Sequence, residues 1–225
     1  MAKKEVSTPT ELETVQQALN TSEQFIEKHQ KQIFIGLGIV LAIVLAVLAF
    51  RNYYFKPRVE AAENAIYKAQ QYFAIDSFKV ALEGDGSADM IGFREIASEY
   101  SITPSGKLAT AYAGICSYKL GKYQDAIKFL TQYDGDDDYF KTSVVGLTGD
   151  AYAEMGETDK AFSFYKKAAD SKTELAPVYL KKAGVLYETK GKTEEALKMY
   201  QEVKDKYPTS MQAGDIDKYI ARVQK

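Results

Sequence analysis

Two patterns of hydrophobic position divide this chain. The first is a block. Ile33 to Phe50 is an uncharged run of 18 residues, Ile-Phe-Ile-Gly-Leu-Gly-Ile-Val-Leu-Ala-Ile-Val-Leu-Ala-Val-Leu-Ala-Phe. At 1.5 Å per residue a helix of that length reaches about 27 Å, close to a hydrocarbon core. The second is periodic. Beyond Arg58, apolar positions recur three and four residues apart and are interrupted by polar, Gly-containing turns, the signature of amphipathic helices. The two patterns predict an all-α chain: a single N-terminal transmembrane helix followed by an α-solenoid of helix–turn–helix repeats.

The periodic part has a longer order. Gly149, Tyr152, Gly156, Ala161, Tyr165 and Ala168 stand at offsets 0, +3, +7, +12, +16 and +19. The same offsets from Gly184 give Gly184, Tyr187, Gly191, Ala196, Tyr200 and Val203, with Pro208 at +24. From Gly114 they give Gly114, Ser117, Gly121, Ala126, Leu130 and Tyr133. Both steps are 35 residues, a period that marks stacked supersecondary units. The small residues at 0 and +12 let two antiparallel helices approach, and aromatics at +3 and +16 fill the space left. Gly at +7 ends the first helix in a left-handed turn. Glu157-Thr158-Asp159 and Lys192-Thr193-Glu194 offer polar starts for second helices, and Pro208 ends the last one.

The ends follow from the same reasoning. Residues 1–31 are polar; Thr8-Pro9-Thr10-Glu11 reads as a capping box, and Leu12, Val15, Leu19 and Ile26 form one narrow stripe. That stripe suits an interfacial or docking helix, or simply a solvated one. Residues 32–55 are the expected membrane helix. Residues 57–104 are expected to form a stalk helix, from Arg58 to about Leu82, and a degenerate first helix pair whose second member starts near Ala88. Three repeats occupy 105–208, and 209–225 forms a capping helix whose apolar residues Ile216, Tyr219, Ile220 and Val223 hide the last exposed face.

Charge bears on topology. Tyr53, Tyr54 and Phe55 resemble an aromatic belt, with Arg51, Lys56 and Arg58 as head-group anchors. A cleaved signal peptide is the rival reading, with Val47-Leu48-Ala49 as a cleavage site. The long polar stretch before the run exceeds a secretory n-region and favours an anchor. Lys28 and Lys31 flank one side; Arg51, Lys56, Arg58 and Lys68 flank the other. The positive-inside count therefore places the repeats in the cytoplasm.

The ladder resembles the tetratricopeptide repeat, with Ser117 and Leu130 departing from the aromatic positions in the Gly114 unit. The resemblance implies a non-enzymatic scaffold whose concave face is made by the first helices. On that face the groove positions are Leu108, Ala111, Ile115, Tyr118 and Lys119; Ser143, Gly146, Asp150, Ala153 and Glu154; and Val178, Lys181, Val185, Glu188 and Thr189. The mixture suits extended or partly folded polypeptide. The repeats that clamp a C-terminal carboxylate use Lys and Asn in the first unit, Asn in the second, and Lys and Arg in the third; here those places hold Ala111, Ile115, Asp150, Lys181 and Val185, and only Lys181 matches. From Phe25-Ile26-Glu27-Lys28 to Arg51-Asn52-Tyr53-Tyr54, and in its whole architecture, the chain is similar to YfgM-type membrane-anchored proteins. That resemblance implies an inner-membrane protein with a periplasmic repeat domain, ancillary to the Sec translocon and partnered with a membrane-anchored periplasmic chaperone. It opposes the charge count on orientation. The stretches Phe73, Asp76, Ser77, Phe78 and Gly84-Asp85-Gly86 also resemble a group of repeat proteins common in Bacteroidetes.

Composition narrows the chemistry. Lys and Arg total 29 against 31 Asp and Glu, so no nucleic-acid partner is suggested. His29 is the sole histidine and lies beside the apolar run, so the repeats hold no histidine triad. Cys116 is the sole cysteine and fits a packing role. Asp134-Gly135-Asp136-Asp137-Asp138 lacks the spacing of a calcium loop, with Tyr139 and Val145 at the sixth and twelfth places. It reads as a loop in which Gly135 ends one helix and Asp138 caps the next. No cofactor, metal or small-molecule substrate is expected. The alternatives to a chaperone-like export module are an adaptor with one fixed partner in another envelope complex and a cytoplasm-facing adaptor.

Overall fold

The computed structural model describes residues 11–171 and 173–224, with side chains from residue 27 onward. The Thr8 capping box lies outside the described residues, as do the side chains of Leu12, Val15, Leu19 and Ile26. The chain divides into two units, residues 1–56 and 57–225.

The first unit is helix α1, Glu11–Ala49, followed by a π-helical segment, Phe50–Phe55. By length and composition this helix is apolar enough to cross a membrane, and none of its apolar stretch is buried. Phe34, Leu37, Ile43 and Val47 all stand exposed. A run that is apolar on every side has no solvated face, which is the pattern of a helix surrounded by hydrocarbon.

The second unit is all helical among its described residues. Helix α2, Lys56–Ala74, leads into two short helices, α3 at Phe78–Glu83 and α4 at Phe93–Glu99. Three antiparallel pairs follow: α5, Pro104–Lys119, with α6, Tyr123–Gln132; α7, Asp138–Glu154, with α8, Thr158–Ala169; and α9, Ala176–Thr189, with α10, Thr193–Lys206. A 3₁₀ turn, Met211–Asp215, and helix α11, Ile216–Val223, end the array.

The turns inside the three pairs are copies of one another. Gly121, Gly156 and Gly191 have φ of 72°, 76° and 72°, a left-handed conformation that costs a side chain with a β-carbon about 1 kcal/mol or more. In each turn the glycine N–H donates three residues back, to Tyr118, Ala153 and Glu188. The next N–H donates five residues back, Lys122 to Ser117, Glu157 to Tyr152 and Lys192 to Tyr187, at 2.9–3.0 Å. This double closure satisfies helix-end carbonyls that water would otherwise have to cover.

Three hydrophobic clusters run along the array. The first joins Ile66 and Ala69 of α2, Leu82, Phe93 and Ile96 to Ala109, Ala113, Cys116 and Phe129. A small central cluster holds Ala111, Ala126, Leu130 and Val144. The last joins Ala161, Tyr165, Tyr179, Ala183, Tyr200 and Val203 to Ile216 and Val223 of the terminal helix. Cys116 is fully buried, and burial pushes its thiol up to about 12, so it packs as a small hydrophobe.

Local details depart from the sequence reading in three places. The helix expected to run from Arg58 to about Leu82 ends at Ala74, where Asp76 takes φ of 58° and Ser77 N–H donates to Tyr72 O. The turn folds Phe78 back onto Phe73, ring centroids 5.5 Å apart. Helical spacing continues across the break because α2 and α3 face the same core. Next, the helix expected from about Ala88 starts only at Phe93, because the chain before it closes against α3. A β-carbon on Gly92 would lie 2.3 Å from Leu82 O. Finally, the cap on α7 is Asp137, whose carboxylate accepts from Phe140 N–H at 2.6 Å; Asp138 is already helical, and α6 ends before Gly135. By contrast, Glu157 and Lys192 precede α8 and α10 without a side-chain cap, since the glycine turns already fix those starts.

Candidate functional site

The repeat code places the site. In all three pairs the glycine at offset 0 lies against the residue at +16. A β-carbon on Gly114 would meet Leu130 at 2.6 Å, on Gly149 Tyr165 at 2.7 Å, and on Gly184 Tyr200 at 2.3 Å. The tyrosines at +3 pack sideways, Tyr152 on Phe164 at 5.3 Å and Tyr187 on Phe162 at 4.2 Å. Ser117, at the same offset, is buried and donates its hydroxyl to Ala113 O at 2.7 Å.

Where the +16 residue is tyrosine, its hydroxyl reaches through to the first helices. Tyr165 Oη donates to Asp150 Oδ1 at 2.8 Å. Lys182, one repeat further on, donates to both Asp150 oxygens at 2.8 and 2.7 Å. The next step repeats the logic with different residues. Tyr200 Oη donates to Glu188 Oε2 at 2.9 Å, and Arg222 of α11 donates to the same oxygen at 2.7 Å. Each carboxylate thus ties its own pair to the following element. Burial, then the neighbouring Asp150 charge, pushes the Tyr165 hydroxyl well above the usual phenol range. Tyr200 is raised by burial and by its bond to Glu188. Glu188 is held below the usual carboxylate range by the Arg222 hydrogen bond. Lys181 makes a third tie, donating to Asp215 of the 3₁₀ turn at 2.6 Å, which lowers Asp215.

Between these ties lies an open pocket of about 580 Å³, lined mainly by apolar atoms. Its walls are Asp150 of α7, Tyr165 of α8, and Val178, Val185 and Leu186 of α9, with Met211 of the 3₁₀ turn. Met211 is 90% exposed and Val185 36%. A second hollow of about 600 Å³ shares Val178, Met211 and Gln212 with the first, and extends past Pro177 and Tyr207 to Tyr139. Met211 therefore stands as a ridge between two adjoining hollows.

Of the groove residues expected from sequence, the pocket brings together Asp150, Val178, Lys181 and Val185, and also Thr189. Leu108 packs against the first core cluster, and Ile115 and Tyr118 against the central one. Lys119 and Glu154 are exposed outside the pocket, with Tyr123 Oη 3.5 Å from Glu154. Glu188 serves its tie to Tyr200 and Arg222. The sequence reading missed Lys182, Leu186, Met211, Gln212 and Asp215. Lys182 and Leu186 sit at −2 and +2 from Gly184, just beside the offsets considered. Met211 to Asp215 were counted only as part of a cap.

The comparisons with known proteins concern the repeats and the fold. Two segments match tetratricopeptide repeat family models, residues 146–174 and 178–210; they contain the Gly149 and Gly184 units. Among solved structures, the fold is similar to a tetratricopeptide repeat protein from Parabacteroides merdae, with a TM-score of 0.57 and 16% identity. The match covers 73% of this chain and 60% of that one, so the likeness concerns the fold. No curated protein matches. Residues 146–174 and 178–210 thus carry tetratricopeptide repeats, an architecture that acts as a protein–protein interaction scaffold and is typically non-catalytic.

Proposed function

We propose that this protein is a membrane-tethered scaffold that holds polypeptide partners in the groove between α7, α9 and the 3₁₀ turn. One observation carries the reading. The groove presents half-buried Val178 with exposed Val185 and Met211, while its charged residues, Asp150, Lys181, Lys182 and Asp215, are paired with one another. An apolar floor framed by mutually neutralised charges favours an uncharged, apolar segment over a charged tail. The same pairing removes Lys181, the one match to a carboxylate clamp, from that role. Binding is assigned to Val178, Val185, Leu186 and Met211, with Asp150 and Lys181 as framing groups.

The resemblance to YfgM-type proteins supports a place beside the Sec translocon, with the repeats in the periplasm, an unfolded exported chain as ligand and a membrane-anchored chaperone as neighbour. Purification of the full-length protein in mild detergent tests this: co-purifying translocon components support it, and their absence overturns it. Retention of many unrelated unfolded chains marks a chaperone-like holder, and retention of one protein marks an adaptor. The basic residues Arg51, Lys56, Arg58 and Lys68 favour a second reading, a cytoplasm-facing adaptor. A periplasm-activated reporter fused after Lys225 separates the two, since a silent reporter rules out export.

A further inference from the structure

The π-helical segment at the end of the apolar run is left unused by the scaffold. Its defining bond runs from Lys56 N–H to Arg51 O, five residues back. This widened turn occurs once among the described residues, and such turns often occur at functional sites. Beside it lies an open crevice of about 510 Å³. Leu45, Leu48 and Ala49 form its apolar part; Arg51, Asn52, Tyr53 and Lys56 form its polar part. From Leu45 to Lys56 the lining spans about 15 Å of axis, enough for the upper part of an acyl chain and a head group. Lys56 Nζ donates to Asn52 Oδ1 at 3.2 Å, which holds the ammonium on the crevice side. No Asp or Glu occurs between Glu27 and Glu60. Among the described residues, no carboxylate pairs with Arg51 or Lys56.

We propose that this crevice is a binding site for one anionic phospholipid, its phosphate between Arg51 and Lys56 and its acyl chain along Leu45, Leu48 and Ala49. Two unneutralised cations next to an apolar surface complement a phosphodiester on a hydrocarbon tail, and neither a neutral lipid nor a soluble anion satisfies both halves. The bidentate donors of Arg51 suit a phosphate, and Tyr53 suits the head-group level. The inference rests on the reading of α1 as a membrane span.

The test is native mass spectrometry of the full-length protein released from vesicles of phosphatidylcholine and phosphatidylglycerol at 3:1. The wild type is expected to retain one phosphatidylglycerol, with roughly tenfold enrichment over its share of the bilayer. Arg51→Gln with Lys56→Gln is expected to abolish the enrichment. Ala49→Leu keeps every charge but fills the crevice, and is expected to reduce the enrichment severalfold. No enrichment in the wild type overturns the proposal. Full enrichment in Ala49→Leu also overturns it, leaving only diffuse surface charge. Loss of the bound lipid to 10 mM glycerol 3-phosphate overturns it in favour of a soluble phosphate ligand. Failure of the span reading is distinguishable, because the protein would then not co-float with vesicles of pure phosphatidylcholine.

Discussion

Gly184→Ala tests the packing code most directly. The new methyl would lie 2.3, 2.7 and 2.9 Å from Cε1, Cδ1 and Cζ of Tyr200, distances that van der Waals contact does not permit. The ring has nowhere to retreat. Tyr200 has no exposed surface, its hydroxyl is bonded to Glu188 at 2.9 Å, and its ring packs on Tyr219 at 5.4 Å. Overfilling a core costs about 1–3 kcal/mol, and with the ring unable to retreat the cost here falls in the upper part of that range, about 2–3 kcal/mol. Alanine regains roughly 1 kcal/mol of helix propensity over glycine, so the net loss is about 1–2 kcal/mol. For a helical domain of this size each kcal/mol moves the midpoint by about 2–4 °C. A drop of about 2–8 °C is therefore expected in thermal melts followed by circular dichroism in detergent. Gly149→Ala should cost less, because its nearest ring atom is 2.7 Å away. An unchanged or raised midpoint for Gly184→Ala would refute the reasoning, since it would mean that propensity outweighs contact and that the +16 ring is free to move.

Four further outcomes follow from the same geometry. Lys182→Met removes the half-exposed tie from α9 to Asp150 and should cost about 0.5–1 kcal/mol, a loss that shrinks in 1 M salt in melts of the paired variants. Glu188 has a lowered pKa in the folded state, so the stability it contributes is complete above the ordinary carboxylate value of 4.5 and disappears as pH falls through its lower folded value; Glu188→Gln should flatten that part of the melting profile between pH 6 and 3. Met211→Ser should change the melting midpoint by no more than about 1–2 °C, because the side chain is 90% exposed, yet weaken binding of an unfolded apolar peptide roughly tenfold in fluorescence titrations. Cys116, buried with its thiol pushed up to about 12, should react with a maleimide only at the rate of unfolding; rapid labelling at neutral pH would contradict the packing around α5.

The sequence showed the repeats clearly because their code is local and strict. A glycine that must meet a ring, and a glycine that must take positive φ, leave the same letters at the same spacing wherever the unit recurs. The apolar run was equally legible, since no polar residue interrupts it. The N-terminal part of the array was harder. Apolar spacing runs on from α2 into α3 because both face one core, and the reversal depends on Asp76, a residue whose left-handed conformation has no unique signature. In the groove, the first-helix positions were legible but their state was not. Asp150 and Glu188 looked like free groups for a ligand. Pairing with Lys182 and Arg222 depends on a neighbour 32 or 34 residues away, and periodicity within one unit does not report it. Met211 was hidden for another reason: it belongs to an irregular turn after the last repeat, where the code has stopped.

That irregular turn has a consequence for measurement. Met211–Asp215 is held to α9 by Lys181 and leads directly into α11, which Arg222 locks onto Glu188. The Met211 ridge is therefore fixed in place between its two hollows, while the side toward α7 and α5 is bounded by successive copies of the same unit. A guest seated on the α9 side of that ridge would be gauged by length as well as by chemistry, with the zero of the ruler at Met211. Chains that differ only in how far they run back along the first helices would then be told apart by the number of 35-residue units they touch, and lengthening the array by one unit would extend the scale without moving its origin.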